Sequence, residues 1–397
     1  MVLKMADEIY DELSDAKNLY KSKEYNEALE KYEEIYSENP NEFDKWDKIY
    51  YSWSIYQVHV KNFDDEGELI ESTKLITKLT RQSDLNKTST CAYTLSVFKV
   101  LDYLYNAENY EYLLSWLEKI DPTLLDSKIY EYKGRLYPSR KEKYFNYASK
   151  AYFQCKDYAN CVLISDKALR DLNHYTNDSD VWFNWRIAKS LKELNQSEKA
   201  LSYLMEVSKV KNDWFIPKEI ADNYFILGDE KNALKYVGEA ILTDEPSNIK
   251  VNLYYLTYQV LNDDEPDIAL KHAELVAAIK LENNVSLPKD IQKLQIDESN
   301  LDADELEAEI KDYWLKNKFK NKKLRYGLVT RIHNHGRSGF ITSDDYGQFH
   351  FNIQEFKDDL SLLSEGQYVS FYTQKGFDKS KNQESIDAVN IHIKNMD

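Results

Sequence analysis

At 397 residues, with 42% apolar residues and a net charge of −17, the chain is long enough for roughly two to four domains and a sizeable core. Its three cysteines, Cys91, Cys155 and Cys161, form no Cys-x-x-Cys pair, and their odd number argues against a disulfide framework. No stretch approaches about 18 apolar residues and the first residues, MVLKMADEIYDEL, lack an apolar segment, so the reading is of a cytoplasmic protein that meets no membrane.

Residues 9–42 read as a helical hairpin. Its second helix carries Tyr25-Asn26-Glu27-Ala28-Leu29-Glu30-Lys31-Tyr32 and is followed by Pro40. Small Ala28 lets two helices approach, Tyr32 fills the groove between them, and Pro40 stops the helix. Cys161, Ala200, Ala233 and Ala269 stand at the equivalent position farther along, 39, 33 and 36 residues apart. Ahead of each lies a segment with helical periodicity: YFNYASKAYFQC, VWFNWRIAKSLKEL, IPKEIADNYFILG and NLYYLTYQVL. These features resemble tetratricopeptide repeats, which implies an α-helical solenoid of about eight to ten helix pairs at most, with a groove that holds a protein partner. Residues 43–140 read as divergent helical hairpins of the same stack.

A further helix is expected through ADELEAEIKDYWLKNKF, capped by Asn300 or Asp302, acidic at its start and basic at its end as the helix dipole favours. Beyond it the composition changes. Only Gly67, Gly134, Gly228 and Gly238 precede position 327, six glycines follow, and no proline occurs after Pro288. Residues 316–397 hold 13 Lys+Arg against 10 Asp+Glu, and no acidic residue interrupts the eight basic ones between Lys316 and Ser343. The first 315 residues therefore carry −20 and repel a polyanion, whereas the basic stretch can dock one. The expected organisation is a repeat body over 1–299, a charged linker helix over 300–323 and a small all-β domain over 324–397.

The β segment opens with GLVTRIHNHGRSGFITSDDYGQFHFNIQEF. It continues through Glu365-Gly366-Gln367-Tyr368-Val369-Ser370-Phe371 and Ile386-Asp387-Ala388-Val389-Asn390-Ile391. In this order and spacing the three pieces resemble a cold-shock domain, a five-stranded barrel of the OB type. The family's glycine-rich motif is matched in its second half, at Gly339-Phe340-Ile341. The resemblance implies that single-stranded RNA or DNA stacks on exposed aromatic rings while basic groups follow its backbone. Phe340 aligns with a stacking phenylalanine of the family, and His350 sits where another usually is. Arg331 stands in place of a tryptophan, Ser338 in place of a stacking phenylalanine, and Asn352 in place of a histidine.

If Phe349 and Phe351 point inward, alternation turns His350 and Asn352 outward, and a hairpin at Asp344-Asp345-Tyr346 brings Phe340 opposite His350. The candidate nucleic-acid-binding residues are thus Arg331, His333, Arg337, Phe340, His350 and Asn352 on the barrel, with Lys320, Lys322 and Lys323 as backbone trackers. With a thinned aromatic platform and added charge, binding is expected to be salt-dependent and weakly sequence-selective. His333, His335 and His350 lack a carboxylate or cysteine spaced to complete a metal site, and no nucleotide-binding loop, nucleophile elbow or His-Glu-x-x-His helix occurs. Trp182, Trp185 and Trp214 fall at core-like helical positions. The sequence therefore reads as a non-enzymatic adaptor without cofactor or metal; the alternative is a protein-only scaffold whose barrel has lost nucleic-acid binding.

Overall fold

The computed structural model describes residues 2–211, 213–378 and 383–394. The chain divides into two compact units, Met1–Val207 and Ser208–Asp397. The first holds helices α1 (Val2–Lys21), α2 (Tyr25–Glu38), α3 (Lys45–Ile55), α4 (Glu66–Leu79), α5 (Ala92–Asn106) and α6 (Tyr110–Leu117). A short hairpin follows, β1 (Tyr130–Tyr132) and β2 (Arg135–Tyr137), and then α7 (Arg140–Gln154), α8 (Tyr158–Asp171), α9 (Ser179–Glu193) and α10 (Ser197–Ser208). The second unit contains α11 (Phe215–Ile226), α12 (Glu230–Ile241), α13 (Val251–Leu261), α14 (Pro266–Glu282), the single turn α15 (Lys289–Gln292) and α16 (Ala303–Phe319). Five strands end the chain: β3 (Arg325–Ile332), β4 (Ser338–Ser343), β5 (Gln348–Asn352), β6 (Tyr368–Asp378) and β7 (Gln383–Ile393). This is a tetratricopeptide-like helical repeat region followed by a five-stranded barrel.

Among the described residues the helices up to α14 form seven consecutive pairs. The small residues expected at helix contacts are all there: Ala28, Cys161, Ala200, Ala233 and Ala269 have no exposed surface. Tyr32 is likewise fully buried and stacks on Tyr51 at 5.5 Å. A second regularity lies in the turns. In five pairs the first helix ends on a residue with positive φ, namely Lys23, Glu108, Lys156, Asn195 or Gly228. The next amide then reaches back five residues, as in Asn109 N to Leu104 O (3.0 Å), Asp157 N to Tyr152 O (2.9 Å) and Asp229 N to Tyr224 O (2.9 Å). This 6→1 bond is the Schellman closure, which satisfies the last carbonyls of one helix. Asn109, Asp157 and Asp229 then cap the second helix by accepting from the amides of Tyr112, Asn160 and Asn232.

Residues 43–140 depart from the expected all-helical reading. They give two helix pairs, α3–α4 and α5–α6, in which α3 continues through a π-helical turn at Tyr56–Val60. Tyr130–Tyr137 then forms the β hairpin. Lys133 and Gly134 both have positive φ, the requirement of a tight two-residue hairpin, and the flanking Tyr-Glu-Tyr and Arg-Leu-Tyr favour strand. Trp182, Trp185 and Trp214, expected in the core, are only half-buried.

In the second unit α16 packs across α14 and α12. Asp302 caps it by accepting from the amides of Asp304 and Glu305, while Asn300 lies in a short 3-10 turn before it. Its buried side chains are Ile310, Trp314 and Phe319. The Trp314 indole N–H donates to His272 Nε2 of α14 (3.1 Å), and its ring lies against Gly238 of α12, where a Cβ would come within 2.6 Å of Cε3. His272 Nδ1 in turn donates to Ile268 O at 2.7 Å. Both ring nitrogens are therefore committed in the neutral form: an imidazolium would set a second N–H against the indole N–H. Burial drives the His272 pKa down to about 4. At the far end of α16, Phe319 stacks on Tyr372 of β6 with ring centroids 4.2 Å apart and planes 10° apart.

The barrel closes in the order β3-β4-β5-β7-β6, with β6 returning to β3. All pairings are antiparallel except β5 with β7. Val329, Ile341, Phe351, Val369, Phe371 and Ile391 fill its interior.

Two measurements test this packing. Ala233→Leu inserts three carbons where no surface is exposed and is expected to destabilise by roughly 1–3 kcal/mol, read as a lower melting temperature. For His272, the unfolded chain takes up a proton near pH 6.5 and the folded chain only near pH 4. Stability is therefore full above about pH 6.5 and falls as pH drops through the window to about pH 4, by on the order of 3 kcal/mol from this residue. Urea titrations of the wild type and His272→Phe across that window should differ in pH dependence.

Candidate functional site

The barrel residues singled out from sequence come together on one outer face. Between β3 and β4 the register sets Arg331 opposite Phe340; between β4 and β5 it sets Phe340 opposite His350 and Ser338 opposite Asn352. His350 then faces Asp387 of β7, and Asp387 faces Gln374 of β6. One row of side chains thus crosses all five strands. Phe351 is buried on the inner side, so alternation turns His350 and the exposed Asn352 outward. Ser338 shares this parity but is buried.

A bulge between Val329 and Arg331 aims the arginine. Gly339, inward on β4, allows it: a Cβ there would meet Arg331 O at 2.4 Å and the Phe351 ring at 2.7 Å. Glu365 fixes the same spot from the opposite side, accepting from Ile332 N at 2.8 Å. The β3–β4 loop is held by Gly336 N to His333 O (2.7 Å) and Arg337 N to His335 Nδ1 (3.1 Å). It brings His333 edge-on to Phe340, with centroids 5.5 Å apart, and stacks it on His335 at 5.3 Å. Phe340 meets His350 edge-on at 5.6 Å. Loss of hydration, then the charges of Arg331, His335 and His350, hold the His333 pKa below its ordinary value. Arg337 is exposed at the loop.

The three lysines are placed elsewhere. Lys323 is 2.5 Å from Asp345, which Arg325 also engages, at 2.6 Å. These partners, Lys323 first and then Ser343, hold the Asp345 carboxyl well below the usual carboxylate range. Lys322 lies over the Phe319 ring at 5.2 Å, beside α12. Lys320 is exposed just past the end of α16.

Sequence reasoning missed Asp387 and a pair of tyrosines. His350 Nδ1 lies 3.5 Å from Asp387 Oδ1, so the row carries a carboxylate between the histidine and Gln374. Tyr326 and Tyr368 stack with centroids 6.3 Å apart, beside exposed Leu328. Counting in twos from Leu328, the outward neighbour of inward Val329, would have found Tyr326, and one step back from inward Ala388 would have found Asp387. Among the described residues no group of three or more His, Cys, Asp or Glu side chains is arranged to hold a metal, and no helix is long and apolar enough to cross a membrane.

Residues 181–317, from α9 into α16, match a family described as a domain of unknown function, DUF7017. No curated protein matches the chain. Solved structures similar to it include the apo form of RapI (17% identity, 79% of this chain and 85% of that one, TM-score 0.39). A tetratricopeptide repeat protein from Parabacteroides merdae ATCC 43184 matches at 15% identity over 77% of this chain and 98% of that one, with TM-score 0.30. A human IFIT1 dimer with PPP-AAAA matches at 14% identity over 79% of this chain and 72% of that one, with TM-score 0.36. The fold described above rests on the hairpins and the barrel themselves.

Proposed function

We propose that the chain is a non-enzymatic adaptor whose helical repeats bind protein and whose barrel, of cold-shock-like OB type, binds single-stranded RNA or DNA. The observation that carries the second half is the row Arg331–Phe340–His350, flanked by His333 and backed by Phe351 in the core. The closed order, in which the third strand pairs in parallel with the fifth, is that of an OB barrel, and such barrels hold oligonucleotides on their second and third strands and the loop between the first two. Phe340 and His350 stand on those strands, and His333 and Arg337 flank that loop. Phe340 and His350 offer ring surface to bases, and the Arg331 guanidinium can stack or pair with phosphate. In the repeats, the paired helices supply the stacked faces on which such proteins dock peptides.

A protein-only scaffold is the second reading. Asp387 favours it, because a carboxylate next to His350 opposes a phosphate chain; buried Ser338 favours it too, because it adds no ring.

The deciding experiment is fluorescence anisotropy of the full chain with labelled 5′-hydroxyl single strands. Stacking is worth about 1–3 kcal/mol per base, so Phe340→Ala should weaken binding by roughly one to two orders of magnitude. Asp387→Asn removes the opposing charge at a half-exposed site and should strengthen binding by roughly threefold at low salt, less at high salt. Wild-type protein that binds no strand at all would leave the scaffold reading.

A further inference from the structure

Within the second unit a cleft of about 590 Å³ lies between α12, α16 and β6. Five lysines converge on it from these three elements: Lys231 and Lys235 on α12, Lys318 on α16, Lys322 just beyond it, and Lys375 on β6. Two carboxylates line it as well. Glu265 is engaged by the Tyr313 hydroxyl (2.7 Å), and Glu239 lies 3.9 Å from Lys235 and within reach of the charges of Lys318 and Lys322. Lys375 approaches Glu384 at 4.0 Å with both side chains largely exposed, and Lys318 and Lys322 lie over the Phe319 ring. Five lysines against two carboxylates leave positive charge in excess. Burial first, then the charge of Lys318, pulls the Lys322 pKa down, against the opposing pull of Glu239.

We propose that this cleft is an oligophosphate-binding site, made for the di- or triphosphate of a nucleotide or of a strand's 5′ end. Ammonium groups bind phosphate as point charges and need no fixed fork, which suits lysines arriving from three directions. They surround a concavity instead of lining a track, so they fit a compact, multiply charged group better than the evenly spaced phosphates of a strand. The volume falls in the range of small-molecule sites, and Leu234, Leu261 and the edge of Trp314 supply apolar wall. The phosphate cluster would offset the mutual repulsion of the lysines. That repulsion is tolerated because α16 is pinned on both sides, by Trp314 on the helices and by Phe319 on the barrel.

Isothermal titration of the full chain with sodium triphosphate and with ATP, both without magnesium, tests the site. Neither ligand depends on the barrel's stacking face, so Phe340→Ala should leave both unchanged, and failure of strand binding leaves this result intact. Lys235→Gln/Lys322→Gln should weaken triphosphate binding by about tenfold or more at low salt without lowering the melting temperature. Lys316→Gln, on the same helix but paired with Asp312, should have little effect. Two labelled RNAs of one sequence, with 5′-triphosphate or 5′-hydroxyl ends, separate the sources. A preference for the triphosphate end that disappears in the double variant assigns the strand end, and its absence beside tight ATP binding assigns the soluble nucleotide. The proposal fails if wild type binds no triphosphate, if Lys316→Gln weakens it as much as the double variant, or if a polyglutamate peptide binds equally well.

Discussion

Trp314 is the residue on which the second unit turns. Its indole N–H finds the single acceptor His272 offers, and its ring occupies the space that Gly238 leaves open on α12. Removing a buried ring of this size costs about 3–5 kcal/mol in a packed core, so the contact is strong enough to hold the helix that bears it. That helix has one apolar edge. Ile310 and Trp314 commit it to the helices, and Phe319 at its end goes to Tyr372. Nothing in the helix is left to swing, and the lysines on either side of Phe319 are carried to the cleft by the same rotation that buries the ring.

The repeat was legible where it depends on volume and less so where it depends on turns. Ala28, Ala200, Ala233 and Ala269 are recognisable because only a small residue fits between two helices. The five shared Schellman turns leave a weaker mark, since Lys, Glu, Asn and Gly all serve at the left-handed position. Residues 43–140 belong to the stack through such a turn at Glu108 even though their helices lack the alanine pattern. The hairpin at Tyr130–Tyr137 escaped because three-residue strands carry no measurable period; its only signal was Lys-Gly between tyrosine-rich flanks. The linker helix was readable to its cap, because a carboxylate before an acidic first turn is a local event.

For the outer face of the barrel, alternation sufficed: once Phe351 was assigned inward, His350 and its partner Phe340 followed. The basic run from Lys316 to Arg337 is the opposite case. It is continuous in sequence and scattered in space, with Lys323 and Arg325 on Asp345, Lys318 and Lys322 at the cleft, Arg331 on the barrel face and Arg337 at the β3–β4 loop. Asp345 lies twenty or more positions from the cations it engages, and nothing in a local charge count announces it. The carboxylate in the row, Asp387, was hidden in the same way, by a parallel pairing of β5 with β7 that joins strands distant in sequence.

This scattering changes what electrostatics contribute to the proposed activity. A run of eight cations acting together would make attachment to a strand strongly salt-dependent. Here two of the eight share the single carboxylate of Asp345, two face the cleft, Arg331 stands on the face with Phe340 and Arg337 is on the loop beside it. Their attraction acts against a chain whose first 315 residues carry −20. Salt screens both the local attraction and the general repulsion, which oppose each other. The ring surface of Phe340 is indifferent to screening, and in the proposed interaction it would carry a larger share than the count of basic residues implies. In the proposed activity, a face built in this way would grip bases more than backbone and so favour unpaired strands, whose bases are available, over duplexes, whose bases are not.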